Sequence, residues 1–212
     1  MIESSHGIIL RTRLLTETSL IVNWLTPEFG RVSTAAKGAR RPKSPFAGKL
    51  DLFYEADFSF SRSRRSDLHA LREVRLRETH SALRRELGSL QQAGYAAALL
   101  VQTTEADTPL AEIFAIFAGF LNHVATSAPK PRNVFAFELR LLRALGLEPE
   151  AEAKLPTETR ALIVALTETP WEKLGELRAT AAQARALQQF LNGFLIYQFG
   201  KPASGRHAAL EV

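Results

Sequence analysis

Hydrophobic positions in the first 80 residues recur with the two-residue period of a β-strand. The pattern predicts strands over residues 8–13, 20–25 and 31–37, with a proline–glycine turn at 27–30 before the third. A fourth strand shows the clearest alternation, with one face made of Leu50, Leu52, Tyr54, Ala56, Phe58 and Phe60. A fifth would bury Leu68, Ala70, Val74 and Leu76. Five short strands predict a small barrel, either an oligonucleotide-binding (OB) fold or an SH3-like one.

From residue 81 onward the apolar period becomes helical. Thr108 followed by Pro109 is typical of a helix start, and Thr180 with Gln183 has the spacing of a capping box. Gly146 fits the end of a helix that begins after the proline break at 129–131. The sequence therefore predicts an α+β protein, with a barrel domain over residues 1–80 and an all-α domain over residues 81–212.

Positive charge is concentrated in the predicted barrel, where 14 Lys and Arg face 9 Asp and Glu, whereas residues 81–212 hold 13 of each. Between positions 29 and 50 no acidic residue accompanies the cations, which are Arg31, Lys37, Arg40, Arg41, Lys43 and Lys49. Gly38 and Pro42 disfavour a helix here, so an exposed loop is predicted over residues 37–43. A second basic turn contains Arg62, Arg64 and Arg65. Such loops suit a polyanion, although clustered charge is also common on a merely solvated surface.

Catalytic signals are absent from the sequence. It contains no cysteine, no phosphate-binding loop, no nucleophile elbow and no zinc-binding histidine pattern. Asp51, Glu55 and Asp57 would share one face of the fourth strand, where they could hold Mg²⁺ for DNA hydrolysis. They are more simply interpreted as the solvated side of that strand, so no catalytic residue, metal or cofactor is predicted. The lack of cysteine, of a signal peptide and of a long apolar run favours a cytoplasmic protein without a membrane span.

Several blocks of sequence occur together: GIILRTR at 7–13, TPEFGR at 26–31, AKGARRPKS at 36–44, FELRLLRALG at 137–146 and YQFGKP at 197–202. Together they resemble the RecO family of bacterial DNA repair proteins. The resemblance implies an N-terminal OB barrel, a helical C-terminal domain that binds partners, and no catalysis. It also implies a recombination mediator that binds single- and double-stranded DNA and anneals complementary strands.

The same resemblance implies partners and a place in the cell. Expected partners are RecR, the acidic C-terminal tail of single-stranded DNA-binding protein (SSB) and, indirectly, the recombinase RecA, in the nucleoid region of the cytoplasm. Candidate cations for the SSB tail are Arg132, Arg140, Arg143, Lys201 and Arg206. Many relatives carry a four-cysteine zinc module after the pair that matches Leu145–Gly146, whereas here a direct run into the next helix is expected, without zinc.

The predicted DNA-binding set is Arg31, Lys37, Arg40, Arg41, Lys43, Phe46, Lys49, Arg62, Arg64 and Arg65. Contacts from such cations to phosphates give affinity without sequence choice. Phe46 could stack on bases or pack inside the barrel, and Trp24, Tyr54 and Phe58 are predicted to be core. An alternative from another class is an RNA-binding barrel protein of translation or ribosome assembly, since the same strands and charge would serve it.

Overall fold

The computed structural model describes residues 1–148 and 155–212. The expected direct run that replaces the zinc module passes through residues 149–154, and its structure therefore lies outside the described residues. The chain divides into two compact units: residues 1–80 with 104–115, and residues 81–103 with 116–212. Residues 104–115, which the sequence analysis assigned to the helical domain, thus belong with the strands.

Five strands form a closed barrel in the order β1-β2-β3-β5-β4. They are β1 (Ile2–Thr16), β2 (Ser19–Thr26), β3 (Gly30–Ala36), β4 (Glu55–Ser61) and β5 (Leu68–Glu78). β3 and β5 pair in parallel and the other neighbours pair antiparallel. Of the two barrel folds left open by the sequence, the structure has the five-stranded OB fold.

The first strand closes the barrel because it is long enough to serve two neighbours. Its first half pairs with β4, from Ile2 to Ile8, and its second half pairs with β2, from Ile8 to Thr16. Leu10 is an extra residue in the ladder between Ile9 and Arg11, and such a bulge bends a strand. The two pairings meet at Ile8, so β1 joins β2 to β4 and completes the ring of strands.

Aromatic side chains fill the barrel interior, as predicted for Trp24 and Phe58. Their rings stack with centroids 4.2 Å apart, and both are buried. Trp24 Nε1 donates a 2.9 Å hydrogen bond to Thr34 Oγ1, so the polar atom of the indole is satisfied inside the core. Tyr54 packs at the margin of the same core and is only partly buried.

The predicted fourth strand is wrong over residues 50–54, which form turns. β4 begins at Glu55, and the buried residue before it is Phe53, whose φ is +66°, rather than Leu52. Phe53 donates its backbone N–H to Ile9 O at 2.9 Å, which turns the chain inward. Alternation of polar and apolar residues cannot distinguish such a turn from a strand. Asp51 therefore does not share a strand face with Glu55 and Asp57.

The fifth strand contains a bulge that changes which residues face the core. Leu71 pairs with Phe60 and Glu73 pairs with Ser59, so Arg72 is an extra residue. Before the bulge the buried residues are His69 and Leu71, and after it Val74 is buried. The prediction that Leu68 and Ala70 face inward is wrong, because one inserted residue exchanges the two faces of a strand.

Six helices make up the rest of the described chain. They are α1 (Leu87–Thr103), α2 (Ala111–Thr126), α3 (Pro131–Ala144), α4 (Thr157–Glu168), α5 (Ala181–Phe199) and α6 (Arg206–Leu210), with 3₁₀ turns at Ser81–Arg85 and Trp171–Glu176. α2 begins two residues after the predicted Pro109. The capping box of Thr180 and Gln183 is confirmed, and so is Gly146 after α3, with φ of +69°. None of these helices is long and apolar enough to cross a bilayer.

Candidate nucleic-acid interface

Residues 37–54 connect β3 to β4 through a series of tight turns, which confirms the predicted loop. Successive backbone hydrogen bonds of 3.0 Å join Arg41 N to Gly38 O and Ser44 N to Arg41 O. Gly38 and Gly48 have φ of +68° and +70°, which a glycine adopts without strain. The loop is therefore a folded element that presents its side chains from fixed backbone positions.

The beginning of the loop is attached to the turn between β1 and β2. Gly38 N donates to Ser19 Oγ at 3.2 Å, and Arg40 N donates to Thr18 O at 3.0 Å. The Arg40 side chain adds a 2.9 Å hydrogen bond from Nη1 to Glu17 O. The acceptors of the Arg40 contacts are backbone carbonyl oxygens, so no carboxylate offsets the charge of Arg40 at these contacts.

Four cations of the loop are exposed: Lys37, Arg40, Arg41 and Lys43. Within residues 1–148 and 155–212 no carboxylate forms an ion pair with any of them. Lys49, later in the loop, is half-buried, and Arg64 and Arg65 are exposed in the turn between β4 and β5. The four exposed cations of residues 37–43 give the barrel unit a local positive surface of the kind that attracts polyanions.

Two other predicted cations are engaged inside the barrel unit, so their assignment to the free surface is corrected. Arg31 is half-buried and donates from Nη2 to Thr104 O at 2.7 Å, and its burial lowers the pKa of the guanidinium. Arg62 pairs with Glu3 (Nε–Oε1, 2.9 Å) and with Asp107 (Nη1–Oδ1, 3.1 Å). The hydrogen bond to Glu3 raises the pKa of Arg62. Both arginines hold residues 104–107 against the strands.

The candidate role of Phe46 in base stacking is also corrected, because its ring is not presented to solvent. It is 6% exposed and packs in the barrel core with Trp24 and Phe58. Lys49 N donates to Phe46 O at 3.1 Å, closing the turn that follows the buried ring. Phe46 therefore anchors the loop, and base stacking at this position is excluded while the core is intact.

A groove on the outside of the barrel, lined by both polar and apolar residues, was not anticipated from the sequence. It has a volume of about 640 Å³ and lies between residues 45–49 and the strands β1, β4 and β5. Its charged lining residues are Lys49, Asp57, Arg72, Glu73 and Arg75. The outward direction of Glu73 and Arg75 follows from the strand pattern, but Arg72 sits at the bulge and could not be placed from alternation alone.

Most cations proposed for the SSB tail have structural roles in the helical unit. Arg206 is 6% exposed and forms a bidentate ion pair with Glu138, with Nε–Oε1 at 2.7 Å and Nη2–Oε2 at 2.9 Å. Burial alone would lower the pKa of Arg206, but hydrogen bonding to Glu138 and its charge outweigh burial and raise it. Tyr95 also donates to Glu138, at 2.5 Å, so α1, α3 and α6 meet at one buried carboxylate.

Arg140 and Arg132 lie on α3 and donate hydrogen bonds to backbone carbonyls later in the chain. Arg140 donates to Leu166 O at 3.1 Å and to Thr169 O, and its guanidinium lies 3.8 Å from the centroid of the Trp171 ring. Arg132 donates from Nη1 to Leu177 O at 3.0 Å. The assignment of these two arginines, and of Arg206, to an exposed rim is therefore corrected. Arg143 pairs with Glu168, and Lys201 is exposed.

The described residues contain no group of three or more His, Cys, Asp or Glu side chains able to hold a metal ion. Of the three carboxylates considered for Mg²⁺, Asp57 forms a 2.7 Å ion pair with Arg77 and Asp51 lies outside β4. The arrangement expected for a metal-dependent hydrolase at these three residues is not present.

A closed barrel of this strand order, carrying exposed cations and joined to a set of helices, defines an OB-fold protein with a helical C-terminal part. Two family models match the chain: Recombination protein O N terminal over residues 1–80, and Recombination protein O C terminal over residues 84–155. The chain belongs to the RecO family.

Several curated relatives share the name DNA repair protein RecO. The relative from Anaeromyxobacter sp. (strain K) is 35% identical over 147 residues, covering 69% of this chain and 58% of the relative. The relative from Rhodopirellula baltica is 34% identical over 146 residues, covering 69% of this chain and 54% of the relative. The relative from Bacillus pumilus is 28% identical over 152 residues, covering 72% and 59%. The match thus spans somewhat more than half the length of these relatives.

Proposed function

We propose that this chain is a non-catalytic recombination mediator of DNA repair that binds single- and double-stranded DNA and anneals complementary strands. Its relatives are named for DNA repair, and both of its matched regions are those of recombination protein O. The observation that carries the proposal is the loop with Lys37, Arg40, Arg41 and Lys43 exposed and without carboxylate partners in the described chain.

The mechanism follows from charge. Each phosphate neutralised by a Lys or Arg releases condensed counterions, which favours binding regardless of base sequence. Two strands whose phosphates are screened repel each other less, and their base edges stay free to pair because the contacts are to the backbone. Since Phe46 is in the core, DNA binding at this loop would be electrostatic and would not involve stacking of bases on Phe46.

The proposal extends to partners. It includes RecR, the acidic tail of SSB and help in loading RecA onto SSB-coated DNA, at the nucleoid in the cytoplasm. These rest on family membership. Among the five cations considered for the SSB tail, Lys201 is exposed and its side chain has no ion pair in the part of the chain that the structure describes. It is the first residue to test for that interaction.

The test is DNA affinity measured against salt concentration. With about five phosphates engaged, the log–log slope should be near −4, at roughly −0.9 per contact for duplex and −0.7 for single strands. The Lys37→Ala/Arg40→Ala/Arg41→Ala variant should weaken binding to all sequences alike and reduce the slope by about three. It should also slow annealing of strands coated with SSB.

A matched control removes the same charges elsewhere. Lys173, Arg178 and Arg185 are exposed in the helical unit, and the triple alanine variant at these positions should bind DNA with nearly the wild-type slope. A wild-type slope near zero, or equal losses in the two triple variants, would contradict the proposal. Preference for structured RNA over single-stranded DNA at equal salt would support the RNA-binding alternative instead.

A further inference from the structure

The groove of about 640 Å³ on the outer side of β1, β4 and β5 carries a positive charge that the loop at residues 37–43 does not account for. Its cations are Lys49, Arg72 and Arg75. Of its two carboxylates, Asp57 is paired with Arg77 at 2.7 Å, a residue of β5 outside the groove lining. Glu73 alone therefore offsets the three cations, and the groove remains cationic.

Arg72, the extra residue of the bulge in β5, has an oriented and exposed side chain that can contact a ligand. Its Nε donates a 2.8 Å hydrogen bond to Ser61 Oγ, which fixes the plane of the guanidinium while the side chain stays exposed. Arg75 is exposed on β5 opposite Asp57 in the ladder with β4. Ser4 and Ser59, which are paired across β1 and β4, belong to the same lining. Arginine and serine side chains are usual partners of phosphate oxygens.

We propose that this groove binds the phosphate backbone of a second nucleic-acid strand while residues 37–43 hold the first. The inference rests on the proposed function, in which two strands are annealed, and it assigns the groove as the binding site of the second strand. One loop supplies both sites: the exposed cations of residues 37–43 precede the buried Phe46, and Lys49, which lines the groove, follows it. Phe46 thus fixes the loop between two cation groups, which would keep two backbones apart until their bases pair.

The experiment uses two oligo(dT) strands that cannot pair with each other, one with a donor and one with an acceptor fluorophore. Wild-type protein should bring both into one complex and give energy transfer. The Arg72→Ala/Arg75→Ala variant should lose that transfer, and the salt slope for capture of the second strand should fall by about two. The charge-matched Arg178→Ala/Arg185→Ala variant should behave as wild type, and Arg72→Lys/Arg75→Lys should restore most of the transfer.

The outcomes separate this inference from the proposed function. If the variant lacking the loop cations still binds the first strand as tightly as wild type, the proposed function fails. If the loop variant loses binding but Arg72→Ala/Arg75→Ala keeps wild-type energy transfer, the groove inference alone is overturned. It is equally overturned if the groove variant loses affinity for an oligoglutamate peptide but not for the second strand, because the groove would then be a site for an acidic protein segment.

Discussion

At the scale of single residues, the buried carboxylate of Glu138 joins three helices of the helical unit. It is fully buried and receives hydrogen bonds from Tyr95 and Arg206. Burying an ion pair is costly, but removing one member is costlier because the other charge is left without a partner. Burial, followed by the nearby Glu138 charge, raises the pKa of Tyr95, so the phenol stays protonated and remains a donor.

We therefore expect Arg206→Ala to lower the free energy of unfolding by about 3–5 kcal/mol. Chemical denaturation followed by circular dichroism would measure the loss. Lys201→Ala removes an exposed charge a few residues earlier and should change stability by less than about 0.5 kcal/mol. Similar effects of the two substitutions would show that the Arg206–Glu138 pair does not stabilise this unit.

A second residue-scale expectation concerns pH. Burial lowers the pKa of His123 from its usual 6.5, although a hydrogen bond to Asn133 opposes the shift. Below that usual value the unfolded chain binds a proton that the folded chain does not, so this histidine makes stability fall as the pH drops. His123→Gln keeps a donor for Asn133 and cannot titrate, so stability should fall less between pH 7 and about pH 5. A pH dependence identical to that of wild type would contradict this, and the exposed His207→Gln serves as control.

At the scale of elements, the loop at residues 37–54 shows what the sequence could and could not reveal. Its position between strands and its uncompensated cations follow from local composition, and both are present in the structure. The burial of Phe46 depends on a return of the chain to the barrel core, which no local pattern encodes. The bulge at Arg72 has the same character, because a single extra residue in a ladder is defined only by the partner strand.

The same limit applies to the arginines. Arg31, Arg62 and Arg206 are indistinguishable in sequence from Arg41 or Arg64, yet each has partners distant in the chain. Glu138 precedes Arg206 by 68 residues, so their pairing could not be seen from spacing. The capping box of Thr180 and Gln183 was predicted correctly, because its residues lie within one turn, whereas the predicted start at Thr108 and Pro109 precedes the observed start of α2.

An element-scale prediction concerns the anchor of this loop. Phe46→Ala should destabilise the barrel unit by about 3–5 kcal/mol, since it removes a buried aromatic ring. Tyr197→Ala removes an aromatic side chain from an exposed helix position and should have little effect. Denaturant unfolding and DNA titration should be measured on both. If Phe46→Ala weakened single-strand binding but left stability unchanged, Phe46 would be a stacking residue after all.

At the scale of the whole molecule, the charge balance differs from the one suggested by the linear sequence. Residues 104–115 contain three acidic residues and no cation, so the barrel unit holds 14 Lys and Arg against 12 Asp and Glu. Its net charge is therefore modest, and one of these acids, Asp107, is paired with Arg62. The DNA-binding proposal depends on where the cations are exposed and unpaired, and hardly on the total charge of the unit.

Each of the two units contains one of the two tryptophans of the chain, Trp24 in the barrel unit and Trp171 in the helical unit. Fluorescence of Trp171→Phe and Trp24→Phe variants can thus follow each unit alone. We expect Arg206→Ala to move the denaturation midpoint of Trp171 emission more than that of Trp24, and Phe46→Ala to do the reverse, because each substitution removes contacts from one core. Equal shifts of both signals in both variants would mean that the two units unfold in one cooperative transition. The effects of Arg206→Ala and Phe46→Ala would then both be changes in a single free energy of unfolding, and the expectation of separate unit stabilities would be wrong.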